Sequence, residues 1–222
     1  MKPTETLARE RTPEGDELVL SRRDGVYRLS IAGEELMTSR AHGSEEAMAC
    51  LACAALAEEK TPRVLVGGLG FGYTLRAALD YLPKGAEVVV CEVFASLLEW
   101  NRGVLADLAG HPLEDRRVRS VRADVQTLLD GRERFDAILL DIDNGPRAFT
   151  LRSNSRLYGE DGLDRLWRSL KPKGVLAVWS SEPAPEFRDR LRRAGFEAWT
   201  ERVSARGDAK RRNHTIFLAR HR

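Results

Sequence analysis

Three carboxylates and one glycine cluster stand where short apolar runs end. Gly68-Leu69-Gly70-Phe71-Gly72 follows Val64-Leu65-Val66, Glu92 closes Val88 to Cys91, Asp124 comes just after Val118 to Val121, and Asp141 follows Ala137 to Leu140. Glycines let a backbone turn tightly and let a ligand lie against it with no Cβ in the way. Glu92 lies about 20 residues beyond Gly72, where an acid can accept hydrogen bonds from ribose hydroxyls. Asp124 could accept from an adenine amino group, or cap a helix that begins at Val125. Asp141, followed by Asp143 and Asn144, could bind an ammonium and then take its proton. A primary alkyl amine, with a pKa of about 10 as in lysine, arrives charged and needs such a base before it can act as a nucleophile. Asp141 could instead be a structural carboxylate that binds loop amides.

The glycine pattern narrows the ligand. It is GxGxG, and the dinucleotide fingerprint would need glycine at 73, where Tyr73 stands. A phosphate-free nucleoside such as S-adenosylmethionine is therefore favoured over a pyrophosphate.

These residues need a parallel sheet to bring them to one rim. Residues 63–92 read as strand, glycine turn, helix (Tyr73 to Tyr81) and strand, one βαβ unit. Further strands are expected at Val118–Val121, Phe135–Leu140, Val175–Trp179, Phe196–Val203 and His214–Ala219. Helices are expected at Phe94–Leu108, Val125–Leu129, Asp161–Leu170 and Pro185–Ala194. The whole is a doubly wound, mostly parallel α/β sheet of seven strands whose last two run antiparallel. Residues 1–43 form an appendage, with a polar, loose stretch at 1–16 and then a β-meander with turns at Asp24-Gly25 and Ala32-Gly33. The main domain spans 44–222 and opens with an alanine-rich helix, Glu45–Lys60.

Composition excludes several classes. Of the 222 residues, 42% are hydrophobic and 32% charged, and the formal net charge of +2 sets up no field that demands nucleic acid or a membrane. No apolar run is long enough to span a bilayer, and MKPTETLARERTPEGDE lacks the apolar centre of a signal peptide. A cytoplasmic location is expected. Cys50-Leu51-Ala52-Cys53 has neither a second cysteine pair nor a histidine cluster, so it reads as two small helix residues rather than a metal site. The basic run around Lys210-Arg211-Arg212 has no interleaved aromatic residues for base stacking, and nucleic acid is not an expected partner.

The order of motifs resembles the spermidine/spermine synthases, the polyamine aminopropyltransferases. The resemblance runs over about residues 18–181. It rests on HGSEEAMA, VLVGGLGFGYTLRAAL, VVVCE, RADVQTLL, FDAILLDIDNGP and LYGEDGLDRLWRSLKPKGVLAVW. It implies a Rossmann-like class I methyltransferase fold with an N-terminal β extension, a homodimer, and decarboxylated S-adenosylmethionine as co-substrate. By position, Gly68, Gly70 and Gly72 would wrap the nucleoside, Glu92 would hold the ribose and Asp124 the adenine. Asp141 would be the first acid of the family's DxxDP catalytic loop, with Asp143 and Asn144 beside the acceptor. The chain departs from the family in several places, two of them at the acceptor side. Asn144 stands where the second acid belongs, and Gly43-Ser44-Glu45-Glu46 replaces a tyrosine-histidine-glutamate that helps hold the polyamine, which leaves Glu46 as a substrate contact. Tyr158 and Trp179 could line the acceptor pocket or simply pack in the core.

The expected reaction is alkyl transfer from a sulfonium, S-adenosylmethionine or its decarboxylated form, to a small amine, with no metal. Two alternatives stand beside it: a small-molecule methyltransferase using S-adenosylmethionine, and a nucleoside-binding protein that has lost the diamine site. A cofactor carboxylate would need a basic or amide partner, whereas the decarboxylated form would prefer an acid.

Overall fold

The computed structural model describes residues 3–12, 15–142, 146, 154–206 and 214–222. Four antiparallel strands come first: β1 (Glu5–Arg11), β2 (Glu17–Arg23), β3 (Val26–Ile31) and β4 (Glu34–Thr38), ordered as they occur in the chain. The β2–β3 turn holds Asp24 and Gly25 at positive φ, and the β3–β4 turn does the same with Ala32 and Gly33, as two-residue hairpins require. The expected loose stretch at 1–16 is corrected by β1. It is an edge strand with mostly exposed side chains, so alternation is faint in its sequence. Backbone pairing to β2 and the ion pairs Arg9–Glu17 (2.8 Å) and Arg22–Glu5 (2.9 Å) hold it in place.

The main sheet contains β5 (Arg63–Gly67), β6 (Glu87–Glu92), β7 (Val118–Arg122), β8 (Phe135–Leu140), β9 (Leu170–Ser180), β10 (Glu197–Val203) and β11 (His214–Arg220). Its order is β10-β11-β9-β8-β5-β6-β7. The pairs β5–β6, β5–β8, β6–β7 and β8–β9 are parallel, and β11 runs antiparallel to both β9 and β10. The chain passes from β5 outward to β6 and β7, then returns to β8 on the other side of β5. That reversal opens a crevice at the carboxyl ends of the strands.

The helices are α1 (Gly43–Cys53), α2 (Tyr73–Tyr81), α3 (Ala95–Arg102), α4 (Val125–Leu129), α5 (Asn154–Leu157), α6 (Glu160–Ser169) and α7 (Pro185–Arg193). Two are shorter than their sequence suggests. α1 tightens into a 3₁₀ turn at Ala54–Leu56, where Ala54 and Ala55 are exposed and only Leu56 still packs against the core, too little apolar face to hold a longer helix. α3 stops at Gly103, which removes both a side chain and helix propensity.

Two apolar layers cover the faces of the main sheet. One includes Leu65, Ile138, Tyr158, Leu166 and Phe187, and the other Met48, Val64, Leu79, Val88 and Leu139. A third joins Leu18, Leu20, Leu29 and Ile31 of the N-terminal sheet to Phe71 and Tyr73 beside the glycine turn and to Phe94 and Leu97 around α3. Burying each large apolar side chain contributes roughly 1.5–3 kcal/mol. This third core therefore holds the N-terminal sheet over the crevice as its roof. Among the described residues no helix is long and apolar enough to cross a membrane.

Candidate active site

A cavity of about 150 Å³ lies between the roof and the strand ends. Its floor is Gly68 and Gly70 after β5, Glu92 of β6, Ala123 and Asp124 after β7, and Asp141 and Ile142 after β8. Glu45 of α1 and Trp179 of β9 close one side, while Leu29, Leu36 and Met37 cover it.

The glycine turn is shaped by close backbone approach. Gly68 has φ +87°, and a Cβ there would stand 2.2 Å from the Asp141 carbonyl oxygen. The residue is glycine because the β8 chain end crosses it, with the Asp141 amide donating to the Gly67 carbonyl at 2.8 Å. At Gly70 a Cβ would meet the Met37 sulfur at 2.9 Å, so the roof rests directly on the turn. Gly72 does not line the cavity, which corrects its expected ligand contact. It caps α2 in a left-handed conformation against Asn101 and Pro112.

Glu92 is buried, and its two carboxylate oxygens accept from the Leu69 and Phe94 amides, each at 3.0 Å. Burial raises its pKa, and those amides pull the other way. The residue thus locks the turn while facing the cavity. Asp124 is the α4 cap, accepting from the Gln126 amide at 2.9 Å, and it also lines the cavity.

Asp141 accepts a 2.5 Å hydrogen bond from the Thr74 hydroxyl of α2. Burial drives its pKa up, and Thr74 opposes the rise. Across the cavity wall Glu45 is pushed up to about 7, first by burial and then by the Asp141 charge, against the hydrogen bond from Ser44. The two carboxylates thus interact, Glu45 sitting near neutrality and Asp141 above its ordinary value. No lysine, arginine or histidine lines the cavity among the described residues.

The helix phase corrects one expected substrate contact. Glu45 shares a face with buried Met48, Ala49 and Ala52, whereas Glu46 is exposed and pairs with His42 at 2.8 Å. Glu45 was findable from the sequence, since it lies three, four and seven residues before that apolar set. Tyr158 is likewise corrected: it is fully buried in the core, edge-on to Phe187 with ring centroids 5.4 Å apart, and does not line the cavity. Asp143 and Asn144 lie outside the described residues. Thr74, Ser44 and His214, which support the two carboxylates, carry no local pattern that marks them.

Cys53 and Cys91 are buried free thiols pushed up to about 12 by burial, and Cys50 is also unpaired. Inert core packing suits such thiols. Among the described residues no group of three or more histidine, cysteine or acidic side chains has the arrangement of a metal site.

Spermidine synthases share this architecture. One solved in complex with the transition-state analogue AdoDATO superposes with a TM-score of 0.74 at 18% identity, over 98% of this chain and 73% of that one. The chain has the fold of the spermidine synthases. The spermidine synthase of Thermotoga maritima gives a TM-score of 0.73 at 17% identity, over 98% of this chain and 73% of that one. A probable spermidine synthase from Corynebacterium glutamicum gives 0.67 at 17% identity, over 99% and 81%. By sequence, an uncharacterised protein of Methanocaldococcus jannaschii is 27% identical over 149 residues, 62% of this chain. The chain spans about half the length of that relative, 48%. No protein-family model matches the sequence.

Proposed function

We propose that this chain transfers an aminopropyl-type group from decarboxylated S-adenosylmethionine to a small amine. One observation carries the reading: Glu45 and Asp141 form an acidic pair at the cavity wall, and no cation faces them among the described lining residues. The negative field of this pair would favour a cofactor tail ending in an ammonium and repel one ending in a carboxylate. The spermidine-synthase fold supports the same choice.

The site fits the nucleoside part as well. Asp124 and Glu92 present carboxylate oxygens at adjacent strand ends, and Leu97, Val125 and Ile142 supply apolar walls. When bound, the sulfonium supplies an electrophilic carbon whose bond to sulfur breaks as the amine lone pair attacks, the bonding electrons leaving with sulfur. The protein's part is positioning and proton handling. Asp141, with one oxygen engaged by Thr74, binds the acceptor ammonium through the other and takes its proton. Such a base contributes about 10²–10⁴ in rate. Glu45, raised by the Asp141 charge, is the neighbouring carboxylate that takes up this proton.

The test is incubation with decarboxylated S-adenosylmethionine and a panel of primary amines and diamines, reading methylthioadenosine and the elongated amine. Formation of both, abolished by Asp141→Asn, supports the reading. No product with any amine, while S-adenosylmethionine yields a methylated product and S-adenosylhomocysteine, overturns it. The Trp179 indole nitrogen is the feature that favours this second, methyltransferase reading. It is buried beside the cavity with no hydrogen-bond partner among the described residues and could donate to a cofactor carboxylate.

A further inference from the structure

Alkyl transfer to a protonated amine releases one proton per turnover. A primary ammonium and a sulfonium become a secondary ammonium and a thioether, and the remaining proton lands on a carboxylate inside a covered cavity. It must leave before the next acceptor can be deprotonated.

A chain of hydrogen bonds leads out of that cavity. The Ser44 hydroxyl donates to Glu45 Oε2 at 2.6 Å. His214 Nδ1 stands 3.0 Å from the same Ser44 oxygen, although the two residues are 170 positions apart in sequence. Glu45 and Ser44 are buried, while His214, the first residue of β11, is only half-buried. The Trp179 ring packs edge-on against the imidazole, with centroids 4.7 Å apart, and fixes its plane. One end of the chain is thus a cavity carboxylate and the other a titratable ring that reaches the surface.

We propose that Ser44 and His214 are the proton exit of this site, carrying the proton from Glu45 to solvent. The inference rests on the transferase reading. In the step, protonated Glu45 gives its proton to the Ser44 oxygen as the Ser44 hydroxyl proton passes to the Nδ1 lone pair of neutral His214. Glu45 returns to carboxylate, Ser44 stays a neutral hydroxyl, and the imidazolium loses a proton to water. The hydrogen bonds left behind run from His214 to Ser44 and from Ser44 to Glu45, the arrangement that suits an ionised Glu45.

The neighbouring groups suit this direction of flow. Glu45 is faced by Asp141 at the end of β8, by Tyr73 of α2 and by Glu46 of its own helix. The Tyr73 phenol is pushed up to about 12 by burial and by the charges of Glu45 and Glu46, so it does not compete for the proton near neutrality. Burial holds His214 below its ordinary value, which makes its cation quick to lose a proton to water. Near pH 7 Glu45 can also surrender its own.

Two measurements test the proposal. In the ligand-free protein, ¹³C NMR of labelled glutamate, with Glu45 assigned by its loss in Glu45→Gln, gives the Glu45 titration directly. Ser44→Ala removes the hydrogen bond that favours the carboxylate, so the midpoint should rise by about one unit; an unmoved midpoint overturns the coupling. In multiple-turnover assays at low buffer, His214→Gln keeps a hydrogen-bonding side chain but cannot carry a proton. Its rate should fall about tenfold, with cofactor affinity unchanged. His214→Ala should recover as imidazole is added, which a purely structural loss would not do. Wild-type rates and pH profiles in both His214 variants overturn the relay. Titration coupling with no turnover by any protein, wild type included, refutes the transferase reading and the relay with it. Turnover that ignores His214 refutes the relay alone.

Discussion

Replacing Gly68 with alanine should damage the protein far more than the same change at Gly70. Both glycines have positive φ, +87° and +51°, and both would lodge a methyl group against a neighbour. At Gly68 that neighbour is the Asp141 carbonyl, 2.2 Å from the new carbon, with the carbonyl carbon at 2.9 Å. A carbon–oxygen contact relaxes only near about 3.3 Å, so the β8 end must retreat by about 1 Å. The retreat stretches the 2.8 Å hydrogen bond from the Asp141 amide to Gly67, worth about 1 kcal/mol. The backbone conformation adds about 1–3 kcal/mol. Together these cost about 2–4 kcal/mol, or a Tm lowered by about 5–15 °C in a chain of this size. Transfer should fall about 100-fold as well, because Asp141 moves with its backbone. At Gly70 the new carbon meets the end of the flexible Met37 side chain, 2.9 Å from its sulfur, which can swing aside. That variant should lose no more than about 2 kcal/mol, chiefly backbone strain. Calorimetric or circular-dichroism melts of the two variants decide the matter. A Gly68→Ala protein that melts within 2 °C of wild type, or a Gly70→Ala protein that melts lower than it, would refute the reasoning.

Four other outcomes are expected. Glu92→Gln replaces one of two acceptors with an amide NH₂ facing a backbone N–H, so it should cost about 1–3 kcal/mol and abolish nucleoside binding, read by calorimetry. Glu45 holds in the folded state a proton that the unfolded chain releases near 4.5, so stability falls as pH rises from there to about 7. Glu45→Gln should therefore match wild type near pH 4 in urea unfolding and exceed it by up to about 3 kcal/mol above pH 7. Thr74→Val removes the 2.5 Å hydrogen bond to Asp141 and should move the acidic limb of the rate profile to higher pH. Arg117 donates to the carbonyls of Leu79 and Leu82 at the end of α2 and holds Asp115 at about 2; Arg117→Ala should destabilise by about 1–3 kcal/mol while leaving cofactor affinity unchanged.

What was legible in the sequence follows from how local each cause is. Apolar runs such as Ala137–Leu140, ended by an acid, mark buried parallel strands and their carboxyl ends, so the sheet and the rim of Glu92, Asp124 and Asp141 could be read directly. The acidic face of α1 was nearly readable, because the spacing to Met48 and Ala49 selects Glu45 over Glu46. β1 escaped because an edge strand with exposed side chains shows little alternation. Gly68 looked like a ligand cradle, yet what bars a Cβ is the backbone of a strand 70-odd residues on, which no local pattern reveals. The Ser44–His214 contact is more distant still and exists only because β11 closes the sheet beside α1. Tyr158 shows the converse: an aromatic residue near a presumed loop looks like pocket lining until the turn between α5 and α6 packs it against Phe187.

The central claim is that Glu45 and Asp141 select a cationic cofactor tail, and calorimetric titration tests it most directly. Wild-type protein should bind decarboxylated S-adenosylmethionine at least tenfold more tightly than S-adenosylmethionine, a difference of about 1.4 kcal/mol. The preference should grow from pH 6 to pH 8 as Glu45 ionises, and Glu45→Gln/Asp141→Asn should erase it. Equal affinity for the two, or tighter binding of S-adenosylmethionine, would contradict the account.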